Sequence, residues 1–148
     1  IDSTVLLTNN IPENILKNDF FAFHATGIRD HFIENWFLVS KKDNIFISTV
    51  KYFLLEYWKN EKNVLTYFFF HLYLDIIIEN DKHIKELWEK VPYYCDECCY
   101  ELNLNLLLKF NENKFKEILN KTHIHKLSYK YDKNLECKNS FLNYIRNY

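Results

Sequence analysis

A chain with a single glycine can turn sharply only rarely. Among 148 residues Gly27 alone lacks a side chain, and Pro12 and Pro92 are the two prolines. Glycine and proline supply most tight-turn geometry, so their scarcity favours long helices over a meander of short strands. Hydrophobic residues make up 48% of the sequence and aromatics 18%, enough for a real core in one domain and too apolar for disorder. The formal net charge is −1. A groove for nucleic acid needs a surplus of Lys and Arg, so no nucleic-acid partner is expected.

The longest apolar run, Val64 to Ile78, is broken by His71 and Asp75 and falls short of the roughly 20 residues of a membrane span. No signal-peptide pattern is present, so Cys95, Cys98, Cys99 and Cys137 are expected as reduced thiols in a cytoplasmic protein. The sequence has no Met and begins at Ile1 inside what reads as a strand, so a truncated start is expected. The heavy use of Lys, Asn, Ile, Phe and Tyr reads as an AT-rich coding bias rather than a function.

Pattern assigns the elements. Ile1 to Leu7 reads as a buried strand, Ile11 to Lys17 as a short helix with an early Pro, and Phe20 to His24 as an aromatic strand. Ala25 to His31, around Gly27, is the best loop, and Trp36 to Ser40 is another strand. Phe46, Val50, Phe53, Leu54, Tyr57 and Trp58 mark one face of an amphipathic helix. Val64 to Glu79 is apolar nearly all round and predicts a central buried helix. Asp81 can cap a helix running to about Lys90, which Pro92 ends. Helices near Glu101 to Leu108 and Glu112 to Asn120, a strand over Ile124 to Tyr129 and a short helix over Ser140 to Arg146 complete the chain. There is no internal repeat or linker, and few strands among many helices predict part of an α/β fold.

Four groups of residues can carry chemistry. Asp2-Ser3-Thr4 offers oxygen ligands to a hard divalent cation, or simply forms a turn. Tyr67, His71 and Asp75 lie four residues apart and make one polar stripe on an apolar helix. Buried polar groups need partners, so the stripe is either a hydrogen-bonded pair in the core or the lining of a cleft. His125 and Lys126 open a strand, where they serve a metal and a phosphate or form a solvated edge. Cys95-x-x-Cys98-Cys99, with Cys137 beyond, permits zinc, or buried small hydrophobes.

Several stretches in order resemble the capsular polysaccharide synthesis protein family, sugar transferases with a DxD-type motif. They are Ile1-Asp2-Ser3-Thr4-Val5-Leu6-Leu7-Thr8, Ile11-Pro12-Glu13, Phe20-Phe21-Ala22-Phe23, Asn35-Trp36-Phe37-Leu38 and Leu55-Glu56-Tyr57-Trp58-Lys59. Tyr67-Phe68-Phe69-Phe70-His71, with Asp75 behind it, follows, then Trp88-Glu89-Lys90-Val91-Pro92-Tyr93 and His125-Lys126-Leu127-Ser128-Tyr129-Lys130. The resemblance spans almost the whole chain. It implies an α/β fold, the C-terminal part of a GT-A-like nucleotide-sugar transferase with few strands and many helices. Residues 1–148 would be one domain, with the nucleotide-binding half preceding Ile1.

The implied activity is a metal-dependent glycosyltransferase that moves a sugar from a nucleotide-sugar donor to a glycan acceptor. Under the resemblance Asp2, Thr4 and His125 hold the metal, Mn²⁺ or Mg²⁺. Thr4 stands where the family's motif has its second acid. Asn35, Trp36 and Lys126 bind the donor, and His71 and Asp75 face the reaction centre. Association with a membrane surface is implied only through the acceptor. Two other readings remain open: a helical interaction or structural domain without catalysis, and a small zinc-stabilised module built on the Cys cluster.

Overall fold

The computed structural model describes residues 1–26, 33–132, 134 and 138–147. Most of the predicted Gly27 loop and Cys137 lie outside the described residues. Among the described residues the chain is mixed α/β, with seven helices and two two-stranded antiparallel sheets. It forms two compact units, one of residues 1–11 with 96–148 and one of residues 12–95.

The unit of residues 12–95 holds α1 (Glu13–Leu16), β2 (Phe20–His24), β3 (Ile33–Ser40), α2 (Ile45–Asn60), α3 (Phe69–Asn80) and α4 (Lys82–Trp88). β2 pairs with β3, and α3 packs on β3. The pairing is irregular: β3 advances five residues from Ile33 to Leu38 while β2 advances two from Ala22 to His24. Such bulges re-aim side chains and recur beside active sites. The core is aromatic. Phe20 stacks on Phe46 at 4.2 Å, and Phe23 stacks on Trp36 at 4.8 Å. Each large apolar side chain so buried contributes about 1.5–3 kcal/mol.

α2 and α4 follow the sequence pattern, started by Asn44 and Asp81, whose side chains accept from backbone N–H groups of the first turn. The central helix is shorter than its apolar run predicts. Residues 61–68 are turns and bends, and α3 begins only at Phe69. Thr66 is the local cause. Its carbonyl accepts from Phe69 N and its hydroxyl from Phe68 N, a turn that competes with helix extension. β3 runs the other way, starting three residues before the predicted Trp36.

The unit of residues 1–11 and 96–148 holds β1 (Val5–Leu7), α5 (Glu97–Asn105), α6 (Glu112–Lys121), β4 (Ile124–Lys126) and α7 (Phe141–Arg146). Its core is Leu102, Ile118 and Phe141, flanked by Leu6, Phe110, Phe115, Leu127 and Ile145. β1 and β4 pair antiparallel, with Val5 opposite Lys126, Leu6 opposite His125 and Leu7 opposite Ile124. Both strands are shorter than predicted, because residues 2–4 curl into a turn before β1. Asn111 and Ser140 cap α6 and α7 through their side chains.

Candidate functional site

Two clusters carry the chemistry, one in each unit. The first is built on the β1–β4 ladder. The Asp2 carboxylate accepts from Thr4 N at 2.7 Å and from the Thr4 hydroxyl at 2.6 Å, an Asx-type turn that fixes the acid at the strand start. Lys126, opposite Val5, donates its ammonium to the Thr4 hydroxyl oxygen and stands 3.3 Å from Asp2 Oδ1. These bonds favour the ionised acid. The Thr4 hydroxyl, the Thr4 backbone N–H and the Lys126 ammonium hold the Asp2 carboxyl below the usual carboxylate range.

His125 goes elsewhere. Neighbours on a regular strand point to opposite faces, so His125 and Lys126 leave β4 on opposite sides. His125 is fully buried, with Nε2 3.2 Å from the Thr8 hydroxyl. Its Nδ1 has no hydrogen-bond partner among the described residues. Burial, helped by the nearby charge of His123, pushes its pKa down to about 4, so the ring is neutral at neutral pH. The structure therefore brings Asp2, Thr4 and Lys126 together and sets His125 apart from them.

Among the described residues no group of three or more His, Cys, Asp or Glu is placed to hold a metal. Asp2 alone suits one mode of binding. Mg²⁺ is often held by one or two carboxylates, with substrate phosphates and water completing its shell. The half-exposed, ionised Asp2 fits that mode as a single ligand, with the Thr4 hydroxyl beside it.

The second cluster lies in the unit of residues 12–95. His71 and Asp75 share the face of α3 that meets β3, as their spacing predicts. Tyr67 does not join them, because it precedes the helix and is 82% exposed. His71 instead meets Glu34, with Nε2 3.8 Å from Glu34 Oε2. Glu34 and Asp75 are both buried, so two carboxylates and an imidazole are withdrawn from water on packed elements. Glu34 lies in the irregular stretch of β3 together with Asn35 and Trp36. Asn35 is half-buried, whereas Trp36 is buried and stacked on Phe23.

Glu34 is the functional candidate that sequence reasoning missed. Its one signal was a charge inside the apolar run from Ile33 to Val39. His24 was missed as well. Its ring stacks on Trp88 at 4.4 Å and lies 4.6 Å from Tyr93, and burial lowers its pKa. Among the described cysteines Cys99 is buried. A hydrogen bond with Cys98, then burial, pushes the Cys99 thiol well above its ordinary value. No helix among the described residues is long and apolar enough to cross a membrane.

A model of the family described as capsular polysaccharide synthesis protein matches residues 1–145. No curated protein and no solved structure matches the chain.

Proposed function

We propose, from the premise that the chain belongs to the capsular polysaccharide synthesis protein family, that it transfers a sugar from a nucleotide-sugar donor to a hydroxyl of a glycan acceptor. The match across residues 1–145 is the observation that carries this reading. A GT-A-like architecture and a cytoplasmic location belong to the proposal, as does contact with a membrane surface through the acceptor alone.

The residues supply the parts such a transfer needs. As the bond from the anomeric carbon to the diphosphate oxygen breaks, negative charge grows on the leaving nucleotide. Lys126, held in place by Thr4, offers that charge an ammonium. The acceptor oxygen forms the new bond to the anomeric carbon, and its proton must go to a base. Asp75 takes it if the configuration inverts, and the departing phosphate takes it if the configuration is retained. His71, with Glu34 beside it, would line the acceptor side, and Asn35 and Trp36 the donor side.

A divalent cation, Mn²⁺ or Mg²⁺, remains part of the proposal, with Asp2 as its protein ligand and the Thr4 hydroxyl beside it. When bound it would neutralise diphosphate charge. His125 is left out of that set by its burial on the far face of the ladder.

The test is a donor panel assayed for transfer and for donor hydrolysis, with Mn²⁺ or with chelator. Asp75→Asn is expected to lower turnover by about 10²–10⁴-fold if the enzyme inverts. Lys126→Met is expected to weaken binding of a nucleoside diphosphate by about tenfold. Absence of both turnover and donor binding across the panel would leave the other reading, a helical interaction or structural domain.

A further inference from the structure

We infer that the cleft beside α7 binds a neutral sugar ring. The cleft is open, of about 460 Å³, and is lined by Phe110, Asn139, Ser140, Asn143, Tyr144 and Asn147. That volume lies within the ~300–1,000 Å³ typical of small-molecule sites. Among the described residues that line it, none carries a charged side chain. What it offers is amides and aromatic surface. The lining includes the amides of Asn139 and Asn143, each with two donors and two acceptor sites. A polyhydroxylated ring needs that mixture of donors and acceptors, and its C–H face suits the negative face of an aromatic ring.

The aromatic wall also argues against a flat base. Phe110 and Tyr144 stack on each other at 3.9 Å and 11°, so no slot is left between them for a nucleobase. The walls are fixed before any ligand arrives. Phe110 N–H donates to the Asn139 carbonyl at 2.8 Å, and Phe141 N–H donates to the Leu108 carbonyl at 3.1 Å. Asn139 holds φ at 59°, in the left-handed region that Asn tolerates better than most residues. Ser140 is committed to capping α7. The cleft lies outside both clusters described above. Its identification with part of a glycan acceptor rests on the transferase reading.

The experiment is saturation-transfer NMR on the purified protein without any nucleotide. The probes are methyl β-D-glucopyranoside, methyl β-D-galactopyranoside and methyl N-acetyl-β-D-glucosaminide, with glucose 6-phosphate and uridine as controls. At least one neutral sugar is expected to bind in the millimolar range, with the controls weaker. Asn143→Ala is expected to raise its Kd about tenfold, the size of one lost hydrogen-bonding group. Asn139→Gly removes the other amide of the lining and keeps the backbone conformation, so it tests the same site if Asn143→Ala fails to fold. Tyr144→Phe, which keeps the ring, is expected to change Kd less than about threefold. The inference is overturned if no neutral sugar binds, if a control binds more tightly, or if binding survives in folded variants lacking the amides. The assay contains no donor, so sugar binding with neither turnover nor donor binding across the panel would sink the transferase reading and leave the cleft standing. Turnover without binding here would do the reverse.

Discussion

The burial of His125 makes stability fall in mild acid, by an amount that can be worked out. Its pKa is about 4 in the folded chain, against 6.5 for an exposed histidine. The unfolded chain therefore binds a proton between those values that the folded chain refuses, and stability rises with pH there. The contribution is complete above about pH 6.5 and is lost as pH falls toward 4. The full penalty, over about 2.5 units, is roughly 3 kcal/mol, of which about 2 kcal/mol has accrued at pH 5. The comparison that isolates it is His125→Gln, which does not titrate and can still reach the Thr8 hydroxyl. Urea denaturation of both proteins from pH 7.5 to 4.5 should show the wild type losing about 2 kcal/mol more than the variant by pH 5. Parallel loss in the two proteins would refute the argument, because it would place the acid sensitivity in other groups.

Three further outcomes are expected. Ile118→Ala empties a fully buried site in the core under β1–β4 and should cost about 2–5 kcal/mol, read from the urea midpoint at unchanged slope. Asp81→Ala removes the carboxylate that accepts from His83 N at 2.9 Å and Ile84 N at 3.0 Å, and should cost about 1 kcal/mol in the same assay. Glu34→Gln keeps the side-chain volume and removes the charge beside His71. It should lower kcat for transfer by about tenfold with little change in KM, and Glu34→Asp should restore part of the loss.

The fold was legible where side-chain pattern and a local cap agree. α4 follows from Asp81, the cap the sequence offers, and α2 follows from its apolar face, with Asn44 as the cap the structure adds. It was less legible where one polar side chain competes with the pattern. The apolar run from Val64 gives no warning that Thr66 will fold back on Phe68 and Phe69 and delay α3 by a full turn. The strands were located but over-extended. A strand's length depends on how much partner lies beside it, and the turn at Asp2 leaves β4 a partner only three residues long.

The candidate site divides along the same line. Residues four apart on a helix must share a face, so His71 and Asp75 could be paired from the sequence alone. Residues adjacent on a strand part to opposite faces, so the register of β4 against β1 separates His125, expected at a metal, from Lys126, expected at a phosphate. Glu34 needed more than either rule. It meets His71 from within the irregular pairing between Ile33 and Leu38, which no periodicity in β3 announces. A buried charge is nonetheless costly enough to require an answering group. A lone acid in an apolar strand therefore asks which other buried ionisable residue meets it, and the polar stripe on α3 was already the best answer the sequence held.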